Sequence, residues 1–201
     1  MRSLSSRYWR NSVGFIFKLS ADRLASELNQ SSDCQLREAS FAEAVEIGAW
    51  SSTDINVIKR RLDAHDRCLA LLHKGCSVAA LWLHHGECYV RGVDLWIRES
   101  PRTYYCYGVI TKPSERRRGY YRRLVNALER LVVEEGGGAV IQYVELENAI
   151  PQSVLSACGY THLEVASRRR GCIRNIAVYD PTTTKCTNNW RIGEPSGKYR
   201  I

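Results

Sequence analysis

Nothing in the 201 residues approaches the unbroken apolar run of ~18 residues that a membrane-spanning helix requires, which argues for a chain that folds in water. Also missing is any Cys-x-x-Cys pair. The eight cysteines, Cys34, Cys68, Cys76, Cys88, Cys106, Cys158, Cys172 and Cys186, fall at irregular intervals, so zinc-ligand spacing is absent. Most stand among Ala, Leu, Val and Tyr, where a thiol packs as a small apolar group, and they are read as reduced and structural. No internal repeat is visible. The first twenty residues hold no acid and no long apolar stretch of the secretory kind. Their Arg2, Arg7, Arg10, Lys18 and serines match the composition of an organellar transit segment; the preferred reading is a short strand over Val13–Phe17 on the edge of the domain.

What is present is enough apolar residue, 44% of the chain, for one domain with a sizeable core. The formal net charge of +8 suits an anionic partner, without saying whether that is a nucleotide cofactor, nucleic acid or a membrane surface.

The most informative stretch is Lys112-Pro113-Ser114-Glu115-Arg116-Arg117-Arg118-Gly119-Tyr120-Tyr121, between an apolar, aromatic strand (Thr103 to Thr111) and an amphipathic helix. Tyr121, Leu124, Val125, Leu128 and Val132 recur at helical spacing, so the helix buries one face and begins close to Gly119. A basic turn with a glycine, opening a helix whose first amides have no partner in the chain, suits phosphate oxygens. A tight turn with a solvated basic face is the plainer alternative.

Around it the chain reads as alternating elements. Ser20-Ala21-Asp22 caps a helical turn through Leu24 and Leu28, and a polar linker follows to Asp33. Gln35–Glu38 alternates like a strand, and Ser40 with Glu43 forms a capping box for a helix through Ala44, Val45 and Ile47. A second helix runs through Ile55, Ile58 and Leu62. Cys68–Leu72 and Ser77–Leu83 are central strands joined by a Lys74-Gly75 hairpin turn. A further strand spans Tyr89 to Ile97. His84, His85 and Cys88 invite a metal reading, but adjacent histidines on an extended chain point to opposite faces, and no metal site is expected. Gly136-Gly137-Gly138 follows a helix and is a stop signal. Ala139–Glu147 is the next strand, Pro151–Cys158 a short helix, and Thr161–Ser167 and Cys172–Tyr179 the last strands. Residues 181–201 read as a tail.

Two landmarks taken together carry a resemblance. Downstream of the basic loop comes Val144-Glu145-Leu146-Glu147-Asn148, then Pro151, Leu155 and Cys158-Gly159-Tyr160. With Arg116 and Gly119 placed as in a Gln/Arg-x-x-Gly-x-Gly/Ala loop, and a strand ending in Asn followed by a short helix and Gly-Tyr, the chain resembles the GNAT superfamily of acyl-CoA-dependent N-acetyltransferases. The similarity runs from about Cys34 to about Tyr179.

The resemblance implies an α/β (α+β) fold: a mixed, mostly antiparallel central sheet flanked by helices and splayed at the cofactor strand. It implies an N-terminal extension (1–33), an N-acetyltransferase domain (34–180) and a C-terminal tail (181–201). It further implies a cytoplasmic enzyme that uses acetyl-CoA and no metal, accepts a small-molecule or peptide amine, and leaves room for a homodimer. By position, Arg116, Arg117, Arg118, Gly119, Tyr120 and Tyr121 would hold the diphosphate. Val109, Ile110 and Thr111 would pair with the pantetheine arm, and Asn148 and Ser153 would contact it. Trp50–Asp54 falls in the loop that would shape the acceptor site, and Tyr104, Tyr105, Cys106 and Tyr107 are further candidates for its lining.

The chain departs from the family pattern twice. Tyr121 stands where the loop carries a small residue, and Leu155 where a tyrosine serves as acid for the departing thiolate. Tyr160 and Ser153 are substitutes, with water a third. For the base that frees the amine of its proton, Glu145 and Glu147 on one strand face are candidates beside Asp94 and Glu99. Two alternative readings stay open: a catalytically silent CoA-binding or regulatory domain, and a nucleic-acid binder that uses the Arg116–Arg123 cluster.

Overall fold

The computed structural model describes residues 9–20, 33–90, 95–97, 101–170 and 173–179. The expected helical turn through Leu24 and Leu28, the acids Asp94 and Glu99, and the tail 181–201 lie outside them. Among the described residues no helix is long and apolar enough to cross a membrane.

The strands are β1 (Trp9–Ser20), β2 (Cys34–Glu38), β3 (Arg67–His73), β4 (Cys76–His85), β5 (Cys88–Val90), β6 (Leu95–Ile97), β7 (Thr103–Thr111), β8 (Ala139–Glu145), β9 (Thr161–Arg170) and β10 (Ile173–Tyr179). The helices are α1 (Phe41–Ala49), α2 (Ile55–Asp63), α3 (Tyr120–Glu134) and α4 (Ala149–Ala157). Eight strands form one sheet in the order β10-β9-β1-β8-β7-β4-β3-β2, and β5 and β6 form a separate two-stranded ribbon. Every described pairing is antiparallel except that of β7 with β8.

Local chemistry accounts for most element boundaries. Ser40 and Glu43 close the expected capping box at the start of α1, with the Ser40 N–H donating to Glu43 Oε2 at 2.9 Å. Asp54 caps α2 by accepting from the Asn56 N–H at 2.7 Å. Lys74 and Gly75 both have positive φ, 51° and 78°, the conformation that matches the twist of a two-residue hairpin. Gly136, at φ 71°, ends α3, and the Gly137 N–H returns to the Val132 carbonyl at 2.7 Å.

Three expectations are corrected. The N-terminal strand is twelve residues long and lies inside the sheet, between β8 and β9, not on its edge. Ile16 and Phe17 are buried in two different clusters, so both faces of the strand are covered. The single strand expected over Tyr89–Ile97 is two short ones, Val90 opposite Leu95, with 91–94 outside the described residues. The buried stripe of α3 begins with Tyr120, 6% exposed and ring-packed on His73, whereas Tyr121 is only half-buried and turns elsewhere.

Side chains on opposite faces of the sheet fill separate layers. Leu81, Leu83, Cys106, Val140 and Val144 pack against α3 and α4 through Leu124, Leu128 and Leu155. On the other face Ala70, Ala80 and Trp82 pack against α1 and α2 through Ala44, Ile47 and Ile58. Cys34, Cys68, Cys76, Cys88, Cys106 and Cys158 form no disulfide, and burial pushes Cys68 up to about 12 and Cys106 higher still, which fits packing and not nucleophilic use.

Candidate active site

The sheet is interrupted where its one parallel pair comes apart. β7 and β8 are in register from Thr103 with Ala139 to Cys106 with Gln142, and no further. Beyond that point β8 continues along β1, up to Glu145 opposite Gly14. β7 continues along β4, with an irregularity where Trp82 faces Tyr107 but Ala80 faces Ile110. Gly108 takes φ 58° at this bulge, and a Cβ there would come within 3.1 Å of the Trp82 ring. Among the described residues, Tyr107–Thr111 thus has a paired strand on one side and an open edge on the other. Such an edge presents N–H and C=O groups to an extended ligand that carries amides.

Because the two strands are parallel, both reach the same end of the sheet. β7 runs there into Lys112, a 3-10 turn at Pro113–Glu115 and the start of α3; β8 runs into Asn148 and α4. Arg117 and Gly119 are both left-handed, at φ 65° and 75°. The first intrahelical bond of α3 goes from the Arg123 N–H to the Gly119 carbonyl at 3.3 Å, so the amides of Gly119, Tyr120, Tyr121 and Arg122 precede the helical ladder. Among the described residues no side-chain capping bond is made at this helix start. A Cβ on Gly119 would meet nothing within 4 Å, so the space before the amides is open. Arg116, Arg117 and Arg118 are exposed around it, and Arg118 is bonded to Glu115 at 2.9 Å. Exposed amides, a helix dipole and guanidinium groups together suit a diphosphate. An anionic ligand with a long amide-bearing tail therefore matches both the cradle and the β7 edge.

The remaining candidates are distributed around this fork. Asn148 is exposed at the N-cap of α4 and makes no side-chain capping bond, while the Ser153 hydroxyl donates to the Ile150 carbonyl of its own helix at 2.9 Å. Gln152 ties α4 to the strand end through the Glu145 and Leu146 carbonyls, both at 2.9 Å. Glu145 is exposed as the last residue of β8; Glu147 lies past the strand, in a turn closed by the Asn148 N–H on the Glu145 carbonyl, so the two do not share a strand face. Leu155 is fully buried. Tyr160 is enclosed too, its phenol held well above the usual range by burial and by the Glu129 carboxylate. Tyr121 instead reaches the apex of the fork, its hydroxyl 3.5 Å from Gln142 Oε1, and burial raises its phenol as well. Gln142 itself is 2% exposed, and its Nε2 is buried with no partner. A glutamine inside the apolar strand Ala139–Val144 was the readable sign of this position.

On the opposite face, strand alternation separates the tyrosines. Tyr104 and Cys106 point into the α3 layer, and Tyr105 stacks on Tyr107 across the other face with ring centroids 5.7 Å apart. The cavity on that face is lined instead by the residues that follow them, Gly108, Val109 and Ile110, together with Ser51 and Thr53 of the loop singled out for acceptor choice. Beside it Asp66, 5% exposed, accepts a short hydrogen bond from Tyr107 and faces His84 Nδ1 at 2.6 Å. His84 Nε2 meets the Glu87 carbonyl at 2.8 Å, so both ring nitrogens face acceptors and the imidazolium is favoured, chiefly by the bond to Asp66. His85 turns to the other face, against Tyr104. Asp33, Cys34 and His73 bring ligand-type atoms within 4.8 Å of one another, but Arg123 Nη1 sits 2.6 Å from Asp33 Oδ1 and already provides the cation.

A family model described as "Acetyltransferase (GNAT) family" matches residues 35–160. Among solved structures, an acetyltransferase from the GNAT family of Colwellia psychrerythraea superposes with a TM-score of 0.57 at 13% identity, covering 81% of this chain and 56% of that one. The aminoglycoside acetyltransferase AAC(6')-Iy, solved with a CoA-linked bisubstrate analogue, gives 0.50 at 20% identity, covering 64% and 90%. A Drosophila protein gives 0.56 at 14% identity, covering 83% of this chain. The chain spans 54% of the length of that protein and 65% of a Staphylococcus epidermidis protein of unknown function. At these identities the likeness concerns the fold. No curated protein matches the sequence.

The Asp66–His84 pair generates a pH dependence. The folded state raises the His84 pKa, so this contribution is complete below the ordinary histidine value of ~6.5 and is lost as pH rises through the higher folded value. The stability gap between wild type and His84→Gln, measured by denaturant unfolding, is expected to be widest near pH ~6 and to narrow toward pH ~9. A gap that stays constant across that range contradicts the assignment.

Proposed function

The chain belongs to the GNAT acetyltransferase family, and from that premise we propose that it transfers an acetyl group from acetyl-CoA to a primary amine by direct attack in a ternary complex. The observation that supports this most is that an amide-lined helix start and the open edge of β7 lie at the same end of the β7–β8 fork as Asn148. When bound, acetyl-CoA supplies a thioester carbonyl already activated toward an amine. The amides of Gly119–Arg122, aided by Arg116, Arg117 and Arg118, hold the diphosphate. Val109, Ile110 and Thr111 pair with the pantetheine arm, and an N–H of this edge stabilises the carbonyl oxygen as it becomes anionic. Asn148 steadies the arm from the β8 side, with Ser153 one turn along α4.

Glu145, exposed at the rim of the fork, is the proposed base that frees the amine of its proton. For the proton returned to the thiolate we place Tyr121 ahead of Tyr160, because its hydroxyl lies at the fork apex and burial keeps it protonated. We take residues 34–180 as the transferase domain, with β1 added to its sheet from the preceding segment, and a cytoplasmic location.

A second reading, a catalytically silent CoA-binding domain, is favoured by one observation: the α4 position that would hold an acid is the fully buried Leu155. The nucleic-acid reading is weaker, since Glu115 and Asp33 already pair with Arg118 and Arg123 within the basic cluster.

Gly119→Glu and Arg116→Ala are expected to abolish or strongly reduce the rise in melting temperature that CoA confers on the wild type; unchanged shifts in both would remove the loop from the site. Loss of a positioned acid costs on the order of 10²–10⁴ in rate. Tyr121→Phe is therefore expected to lower kcat by about 10²-fold while Tyr160→Phe keeps most of it. The reverse order would assign the acid to Tyr160, and CoA binding without thiol release for any amine in the wild type would favour the silent domain.

A further inference from the structure

The cavity on the α1–α2 face has a volume of about 250 Å³, the scale of an amino-acid-sized ligand. Gly108, Val109 and Ile110 line it, on the stretch of β7 where the proposed function places the thioester carbonyl. One charged side chain lines it, Arg61 from α2. The Arg61 guanidinium carbon lies 4.9 Å from the centroid of the Trp82 ring and 5.1 Å from that of Tyr107. Its Nε is buried with no hydrogen-bond partner, and no carboxylate pairs with it among the described residues. The nearby acid, Asp66, is committed to Tyr107 and His84.

A guanidinium packed against aromatic rings keeps its in-plane N–H donors for a partner that is itself planar, and a carboxylate takes two such bonds side by side. A cation half-withdrawn from water without a counter-charge is costly, and a ligand anion would relieve that cost. Resting on the function proposed above, we propose that the acceptor is an amine that also carries a carboxylate, of free amino-acid or short-peptide size, with the carboxylate on Arg61 and the amine directed at the Val109–Ile110 edge. The Ser51 and Thr53 hydroxyls, 2.8 Å apart at the cavity wall, add polar contacts on the acceptor side. A polycationic acceptor, such as an aminosugar or polyamine, would meet a like charge and no described carboxylate in the lining.

The test is a matched panel in a thiol-release assay at saturating acetyl-CoA: lysine against cadaverine, phenylalanine against phenethylamine, and a dipeptide against its C-terminal amide. The expected result is a kcat/KM at least about tenfold higher for the carboxylate member of each pair, the scale of one well-formed charged bond. The dipeptide arm decides between a free amino acid and a peptide as the source of that carboxylate. Arg61→Gln is expected to erase the difference by raising KM for the carboxylate members alone, and Arg61→Lys to keep part of it. Equal or better use of the decarboxylated members, or an equal loss for both in Arg61→Gln, overturns the proposal. Calorimetry of wild type and both variants with CoA alone separates the two levels. No heat with wild type sinks the transferase reading, whereas CoA binding with the amine preference reversed sinks only the Arg61 assignment. If no amine is turned over, titration of phenylalanine and phenethylamine into the CoA-loaded wild type decides the matter: phenylalanine binding that Arg61→Gln removes supports the proposal, and its absence overturns it.

Discussion

Two neighbouring strands that run parallel for four residue pairs and then separate create the feature on which everything else depends. A backbone edge buried in a sheet must find partners for its N–H and C=O groups. β7 meets half of that demand with β4 and leaves the other half to whatever enters the fork. The bulge at Gly108 belongs to the same constraint, because β7 changes register on β4 just where it leaves β8, and at its positive φ a Cβ would be strained and crowd the Trp82 ring at 3.1 Å. Length of β1 serves it too: by pairing with β8 as far as Glu145, β1 holds the other arm of the fork in place.

The two faces of the fork differ in charge and in chemistry. On one, the start of α3 gathers backbone amides and arginines, a field suited to the phosphate end of a ligand. On the other, the buried acid Asp66 is balanced by His84 and Tyr107, which leaves Arg61 as the cation facing the cavity. In the function proposed above, a ligand tail threading from the first side would bring its reactive end to Gly108–Ile110 beside the second, with the sheet lying between cofactor and acceptor. Tyr121 and Gln142 meet at the apex, the Tyr121 hydroxyl 3.5 Å from Gln142 Oε1.

Features set by neighbours in sequence were readable without coordinates. Ser40 with Glu43, Lys74-Gly75, Gly119 and Gly136 each dictate a local backbone conformation, and each sits where its chemistry requires. Positions that depend on distant segments were not. The place of β1 inside the sheet is decided by its pairing with residues 139–145 and 161–170, which the apolar run Val13–Phe17, read as an edge strand, did not reveal. Tyr120 and Tyr121 exchange roles because one residue is ~100° of helix rotation, finer than periodicity resolves when both are aromatic. Arg61, Trp82 and Tyr107 come from a helix and two strands, and no spacing in the chain announces that they meet.

The account stands on the fork between β7 and β8 as the seat of the CoA tail, and amide hydrogen exchange with and without CoA probes that directly. The amides of Val109–Thr111 and of Gly119–Arg122 are expected to become protected together when CoA is added, while those of the β9–β10 pairing stay as they were. Binding of CoA that leaves both stretches exchanging at the unliganded rate would contradict it.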